Sequence, residues 1–364
     1  MRKYTELMVM KIIGQMKNRY NLFILYLSIL LWLGGACSKY NGNTVYYDAF
    51  SKEVQLTGEI VNIDDTVLHN YPLLTIIEDK LVILDFATDN YYYHVYDTID
   101  YSYKYSFAKR GRGAGEVMDC GSLKHNGNIL YVDNSLNRSE IYEYRIADDK
   151  AELVDTIRLP RKDDIIVVEF VVTPNKVIWG LPVYGKSHRL YKMKDGGLYL
   201  DSLFIIPKNP EWSLANPIYT WNSRLGYNSS NKILVLATTG GERLDIINTQ
   251  NNDSLTIIGP GGNPCPDVRN GKMHLDSKII GFGNLQITDN YIYALFSGQN
   301  YQDMIWNHEE ETFSMNVYTL DGKPVIKYHF DKPIISIYVD EENRTMYATA
   351  VTGEEEESIV KYRF

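Results

Sequence analysis

The chain has 364 residues, 13% of them aromatic, including thirty tyrosines, and a formal net charge of −9. That length holds one large or two ordinary domains with a sizeable core, and a tyrosine-rich composition favours pleated sheet. The first 36 residues carry five basic side chains and one acidic one, which leaves the remainder at −13. A body that acidic repels a phosphate backbone, which argues against nucleic acid as a partner.

The amino-terminal stretch MKNRYNLFILYLSILLWLGGACSKY (16–40) places Lys17 and Arg19 before an uncharged, mostly apolar run, Leu22 to Leu33, followed by small residues and Cys37. Those 12 residues fall short of the roughly 20 that span a bilayer. A charged start, a short apolar middle and small residues form a secretory signal, and Met16 serves as its start as well as Met1. Cys37 after Gly34-Gly35-Ala36 resembles the lipobox of bacterial lipoproteins, although Gly34 stands where that family usually carries leucine. The resemblance implies a signal over 1–36 and lipidation of Cys37; residues 37–52 are read as a tether and 53–364 as the folded domain. SKYNGN after the cysteine lacks the acidic cluster linked to surface export, so the expected address is the outer membrane, facing the periplasm.

Further along, an apolar run, a tight polar turn and a second apolar run recur: LLTIIEDKLVILD, GSLKHNGNILYVD, VEFVVTPNKVIWG, RLGYNSSNKILVLA, LQITDNYIYALF and ISIYVDEENRTMYATA. The first apolar residues after the turns are Leu81, Ile129, Val177, Ile233, Ile292 and Met346. Each hairpin except the last is followed by two more short strands, such as YYYHVYD and YSYKYSF. Four strands repeated every 40 to 60 residues or so predict an all-β, six-bladed β-propeller with four-stranded antiparallel blades. The sixth unit ends at SIVKYRF with three strands. EVQLTGEIVNI near the amino terminus supplies the missing one, closing the ring and covering an open edge.

The repeats, the lipoprotein-type start and the GRGAGE turn resemble TolB-like six-bladed propeller lipoproteins of Gram-negative bacteria. Members often carry Gly-x-Gly-Pro-Gly-Glu after the first blade, with Ala114 here in place of the proline. The resemblance covers nearly the whole mature chain and brings no general activity with it.

FAKRGRGAGEV (107–117) has the look of a phosphate loop. Yet Glu116 occupies the sixth place of GxGxxG, no Lys-Ser/Thr follows Gly115, and the next segment is a hairpin rather than a helix. Without a helix amino terminus there is no phosphate cradle, so the stretch is read as a corner between blades one and two. In an antiparallel blade, the connections between blades and the loops joining strands two and three share one face. The long loops KRGRGAGEVMDC, PKNPEWSLANPIYTWNSR, GPGGNPCPDVRNGKMHLDSKIIGFGN and SGQNYQDMIWNHEEET all fall there, as a binding rim on a rigid scaffold would.

The rim candidates are Arg110, Arg112, Glu116, Trp212, Tyr219, Trp221, Arg224, Tyr301, Asp303 and Trp306. The arginines offer planar forks to a carboxylate or sugar, or else pair with Glu116 and order the loop. The aromatics stack on a ligand, or plug the channel and pack on their own loops. His274 has no neighbour that makes it a base or ligand. The runs 309–311 and 354–357 of glutamate are read as solvated tips. Pairing of Cys120 with Cys265 stays open, and without CxxC or HExxH patterns no metal or cofactor is expected.

Two functions compete. One is an envelope-anchored, monomeric, non-enzymatic module that binds a protein, peptide or glycan at the loop face. The other is a propeller hydrolase or lyase acting on a carbohydrate or lactone, which needs several charged groups projecting from first strands into the channel. Those strands read as mainly apolar or hydroxylic, which favours the first.

Overall fold

The computed structural model describes residues 43–364 except 64–67, 69–71, 89, 135–138, 160–165, 183–187, 197, 207–220, 265–266, 270–271, 275–278, 307–312 and 354–355. Three short strands come first: β1 (Asn43–Tyr46), β2 (Glu53–Leu56) and β3 (Glu59–Val61). Blade one follows as β4 (Leu73–Ile77), β5 (Lys80–Leu84), β6 (Tyr91–Asp97) and β7 (Tyr103–Lys109). Blade two is β8 (Lys124–Asn126), β9 (Ile129–Asn134), β10 (Glu140–Ile146) and β11 (Ala151–Arg158). Blade three is β12 (Val167–Val172), β13 (Val177–Pro182), β14 (His188–Lys194) and β15 (Leu198–Ile205). Blade four is β16 (Ser223–Asn228), β17 (Ile233–Thr238), β18 (Arg243–Asn248) and β19 (Ser254–Ile258). A small hairpin, β20 (Asp267–Arg269) and β21 (Lys272–His274), interrupts the next connection. Blade five is β22 (Phe282–Ile287), β23 (Tyr291–Phe296), β24 (Ser314–Thr319) and β25 (Pro324–Phe330). Blade six is β26 (Ile334–Asp340), β27 (Thr345–Gly353) and β28 (Glu356–Arg363). The expected six blades are present, with strands in chain order from the axis outward.

The core lies in six seams between blades. Leu130 and Val132 of blade two pack with Val82 and Leu84 of blade one. Blades two and three meet through Tyr131 and Phe170, blades three and four through Trp179 and Leu234. The remaining seams are carried by Val235 against Phe282, Leu295 against Met346, and Tyr347 against Leu81. This last pair joins blade six to blade one and closes the ring. Second strands are buried on both faces, since each blade covers its neighbours; this is why their sequences run apolar without alternation.

Ring closure follows the expected route with a finer division. Only β3 completes blade six, antiparallel to β28 with Val61 opposite Ile359. The first half of EVQLTGEIVNI is β2, a fifth strand added parallel to β25 of blade five. Asn43–Tyr46, inside the segment read as tether, is likewise a parallel fifth strand on β19 of blade four. The chain thus laces three blade edges before the first blade begins. Gly58 permits the step from blade five to blade six. A Cβ there would sit 2.3 Å from Val360 Cγ1 and 2.6 Å from the Tyr362 ring. Four-residue edge strands carry too little pattern to be read from sequence, and their partners lie about two hundred residues or more away.

Candidate functional site

The glycine stretch is a self-tied corner. The Gly111 N–H donates to Val117 O at 3.0 Å, and the Val117 N–H to Lys109 O at 2.8 Å. Glu116 folds back over the loop, accepting from Lys109 Nζ on Oε1 and from the Gly113 N–H on Oε2, both at 2.8 Å. A Cβ on Gly111, whose φ is +152°, would meet that Oε2 at 2.0 Å. The glycines are there because a carboxylate occupies the space a side chain would need. Arg110 donates to Phe86 O at 2.5 Å and lies 4.1 Å above the Tyr92 ring. Of the sequence candidates here, Arg110 and Glu116 are therefore committed to ordering the loop, while Arg112 is exposed.

Trp221 is buried, in contrast to its reading as a rim aromatic. Its indole sits 5.1 Å from the Arg189 guanidinium and 5.4 Å from that of Arg243. Both arginines converge on Asp245, Arg189 Nη1 at 2.7 Å and Arg243 Nη2 at 2.7 Å. Thr256 donates to the same carboxylate at 2.7 Å. Burial alone would raise the Asp245 pKa, but the two arginines outweigh it and hold the carboxyl below its ordinary value. The excess positive charge faces the Trp221 ring. Sequence reasoning missed this cluster, although Arg243 and Asp245 inside the apolar strand RLDIIN were a usable signal.

The axis of the ring holds a cavity of about 1740 Å³. On the loop-bearing face its mouth is lined by half-buried apolar side chains, among them Leu73, Phe86, Leu123, Ile280, Phe313 and Ile335. Arg224, at the loop-side start of β16, lines it as an exposed cation. The opposite mouth, built by the strand-one-to-two turns, presents Asp289, Glu341 and Glu342. The expectation of inner strands poor in charge is corrected here, since Lys124, Glu169 and Arg224 all line the cavity. Two of the three are consumed, for Lys124 Nζ lies 2.7 Å from Glu169 Oε1. Single charges at strand starts were overlooked because each reads as an ordinary edge residue until the ring brings its strand to the axis.

The TolB-like six-blade propeller-like family model matches residues 49–342. The chain belongs to that family. Two solved structures share this TolB-like propeller's fold. A Bacteroides fragilis protein described as exported is 12% identical, with a TM-score of 0.58 over 88% of this chain and 99% of its own. A DUF4221 family member from Bacteroides vulgatus is 9% identical, with a TM-score of 0.56 over 86% and 99%. No curated protein matches the sequence.

The long loop of blade five in this TolB-like propeller contains a short helix, α1 (Tyr301–Trp306). It places Met304, absent from the sequence candidates, on the cavity mouth. Tyr301 is half-buried, and the Asp303 N–H donates to Asn300 O at 3.1 Å. Cys120 is a free thiol beside the Tyr93 hydroxyl at 2.8 Å, and burial pushes its pKa up to about 12. Cys37, Trp212, Tyr219, Cys265, Glu309–Glu311 and Glu354–Glu355 lie outside the described residues, as do the side chains of Trp306 and His274.

Proposed function

We propose that this TolB-like propeller is an exported, lipid-anchored binding module that works as a monomer in the cell envelope. It faces the periplasm and holds a protein, peptide or glycan at the loop-bearing mouth of its axial cavity. The observation that carries the reading is the composition of that mouth: half-buried apolar side chains around one arginine, on a rigid ring. The signal-like start and Cys37 support the address, and the exported Bacteroides fragilis relative agrees with it.

A hydrolase or lyase is the second reading, favoured by the charges on inner strands such as Lys124, Glu169 and Arg224. Lys124 and Glu169 neutralise each other, so neither is free to move a proton without breaking the wall. Binding is therefore preferred.

The test is capture of partners from membranes by the full anchored chain. Leu123→Glu and Ile335→Glu should lose one partner that the unaltered chain retains, at an unchanged thermal midpoint. Equal recovery of every partner would reject the mouth as the binding face. Cys37→Ser should release the protein from membranes, and continued sedimentation with them would reject the lipid anchor.

A further inference from the structure

We propose that a cleft on the side of the ring opposite the loop-bearing mouth takes a phosphate group, supplied by a lipid headgroup of the anchoring bilayer or by a soluble phosphate ester. The cleft lies in the seam between blades three and four and has a volume of about 380 Å³. It is bordered by the β12–β13 turn at Asn175 and by the β18–β19 turn at Gln250, with Trp179 and Tyr227 as its aromatic wall. Lys192 and Lys232 bring two ammonium groups to it, and no aspartate or glutamate lines it among the described residues. In a chain of net charge −9, that lining is a local reversal of the surrounding field.

Both ammonium groups have donors to spare. Lys192 Nζ rests 4.9 Å from the centre of the Trp179 ring and makes no ion pair or hydrogen bond among the described residues. Asp201, opposite Lys192 in the sheet, accepts the Ser202 N–H at 2.7 Å instead. Lys232 Nζ donates to Ser229 O at 2.5 Å, which leaves its other N–H groups for a ligand. Lys176, beside Asn175, shows the contrast, since Glu143 and Asp155 already hold it. Lysine is a compact charge with several donors and a common partner of phosphate.

A second, independent observation is where the chain enters the ring. Asn43 is opposite Leu255, at the end of β19 that follows the turn carrying Gln250. The strap therefore arrives on the same side of the ring as the cleft, at the outer edge of blade four. Cys37 lies six positions earlier, which is at most about 20 Å of extended chain. On the reading that Cys37 carries lipid, this side is held close to the headgroups, where anionic lipids attract lysine. That position favours the lipid source.

The experiment is calorimetric titration of the full chain in phosphatidylcholine nanodiscs, with empty nanodiscs as blank and glycerol 3-phosphate as the probe against glycerol. The phosphate should bind one-to-one and at least about tenfold more tightly than glycerol. Lys192→Gln combined with Lys232→Gln should remove that preference while the thermal midpoint moves by no more than about 2 °C. Lys323→Gln, an equal kind of charge change before β25 and outside the cleft, should leave it intact. Adding phosphatidylglycerol to the discs decides the source. A headgroup that fills the cleft should weaken the soluble probe by about tenfold or more, whereas unweakened binding assigns a soluble ester. No binding of the probe, equal binding of glycerol, a preference retained in the double variant, or one lost equally in Lys323→Gln would each overturn the proposal. If Cys37→Ser fails to release the chain from membranes, the anchored reading is wrong, while probe binding that the double variant loses would still establish the phosphate site.

Discussion

Glu169 Oε1 lies 2.7 Å from Lys124 Nζ and accepts the Leu225 N–H at 3.1 Å, so one carboxylate ties the inner strands of blades two, three and four. β8 has only three residues, and this bond replaces some of the hold that a longer inner strand would supply. Glu169→Gln should strand the Lys124 ammonium in the wall and cost about 3 kcal/mol. Replacing both residues by leucine or methionine should recover much of that loss, because a paired charge is dispensable where a lone one is not. Urea unfolding of the two variants checks this. An equal or larger loss in the double variant would contradict it.

The amino-terminal strap is fastened by Tyr47, whose hydroxyl donates to Glu242 Oε1 at 2.5 Å and lies 2.7 Å from the Tyr318 hydroxyl. Tyr47→Phe should remove about 1.5–3 kcal/mol of hydrogen bonding to a charged group. The loss should be local. Hydrogen exchange should speed up at Val45 and Tyr46 while amides of β17 keep their protection.

Acid stability should follow Asp245. Its folded-state pKa lies below the unfolded value near 3.9. The carboxylate therefore contributes stability that is full above the unfolded value and is lost as pH falls through the folded one. Asp245→Asn should be much less stable than the unaltered chain at pH 6, with the gap narrowing as pH falls below the unfolded value and closing below the folded one. A gap that stays constant with pH would exclude this origin.

Gly111→Ala should cost more than about 1 kcal/mol, because both the backbone angle and the Glu116 carboxylate oppose a Cβ. Combined with Glu116→Ala, the penalty should be smaller than the sum of the two single changes, since removing the carboxylate frees the space. Thermal unfolding of the three variants measures the coupling. Strict additivity would mean that the glutamate does not dictate the glycine.

Trp221→Ala should destabilise the protein by about 3–5 kcal/mol, as expected for an emptied buried site. Its signature is a lowered unfolding midpoint. Weaker binding at an unchanged midpoint would restore Trp221 as a rim residue.

The fold was legible in the sequence because a propeller blade is a local object. Its hairpins need only apolar runs and turn residues a few positions apart, and anchors such as Ile129, Val177 and Ile233 each begin the second strand of their blade. The corner reading of GRGAGE also rested on neighbours in sequence, since a hairpin follows it instead of a helix. The candidate site was less legible. Trp221 and Arg110 carry binding chemistry in isolation, but whether a side chain faces solvent or an arginine pair depends on residues tens of positions away. Lys124 and Glu169 gave no sign of their pairing, because it joins strands of two different blades.

Residue order by itself settled the number of blades, the strand order within each and the terminus that closes the ring, since all of these follow from local β periodicity and an unpaired last edge. Only the folded ring decided which charges cancel and that Arg224 stands exposed at the axial mouth. Those outcomes are set by distances between strands that the chain brings together at the axis, and electrostatics and hydrogen bonding act through such distances, whatever the separation along the chain.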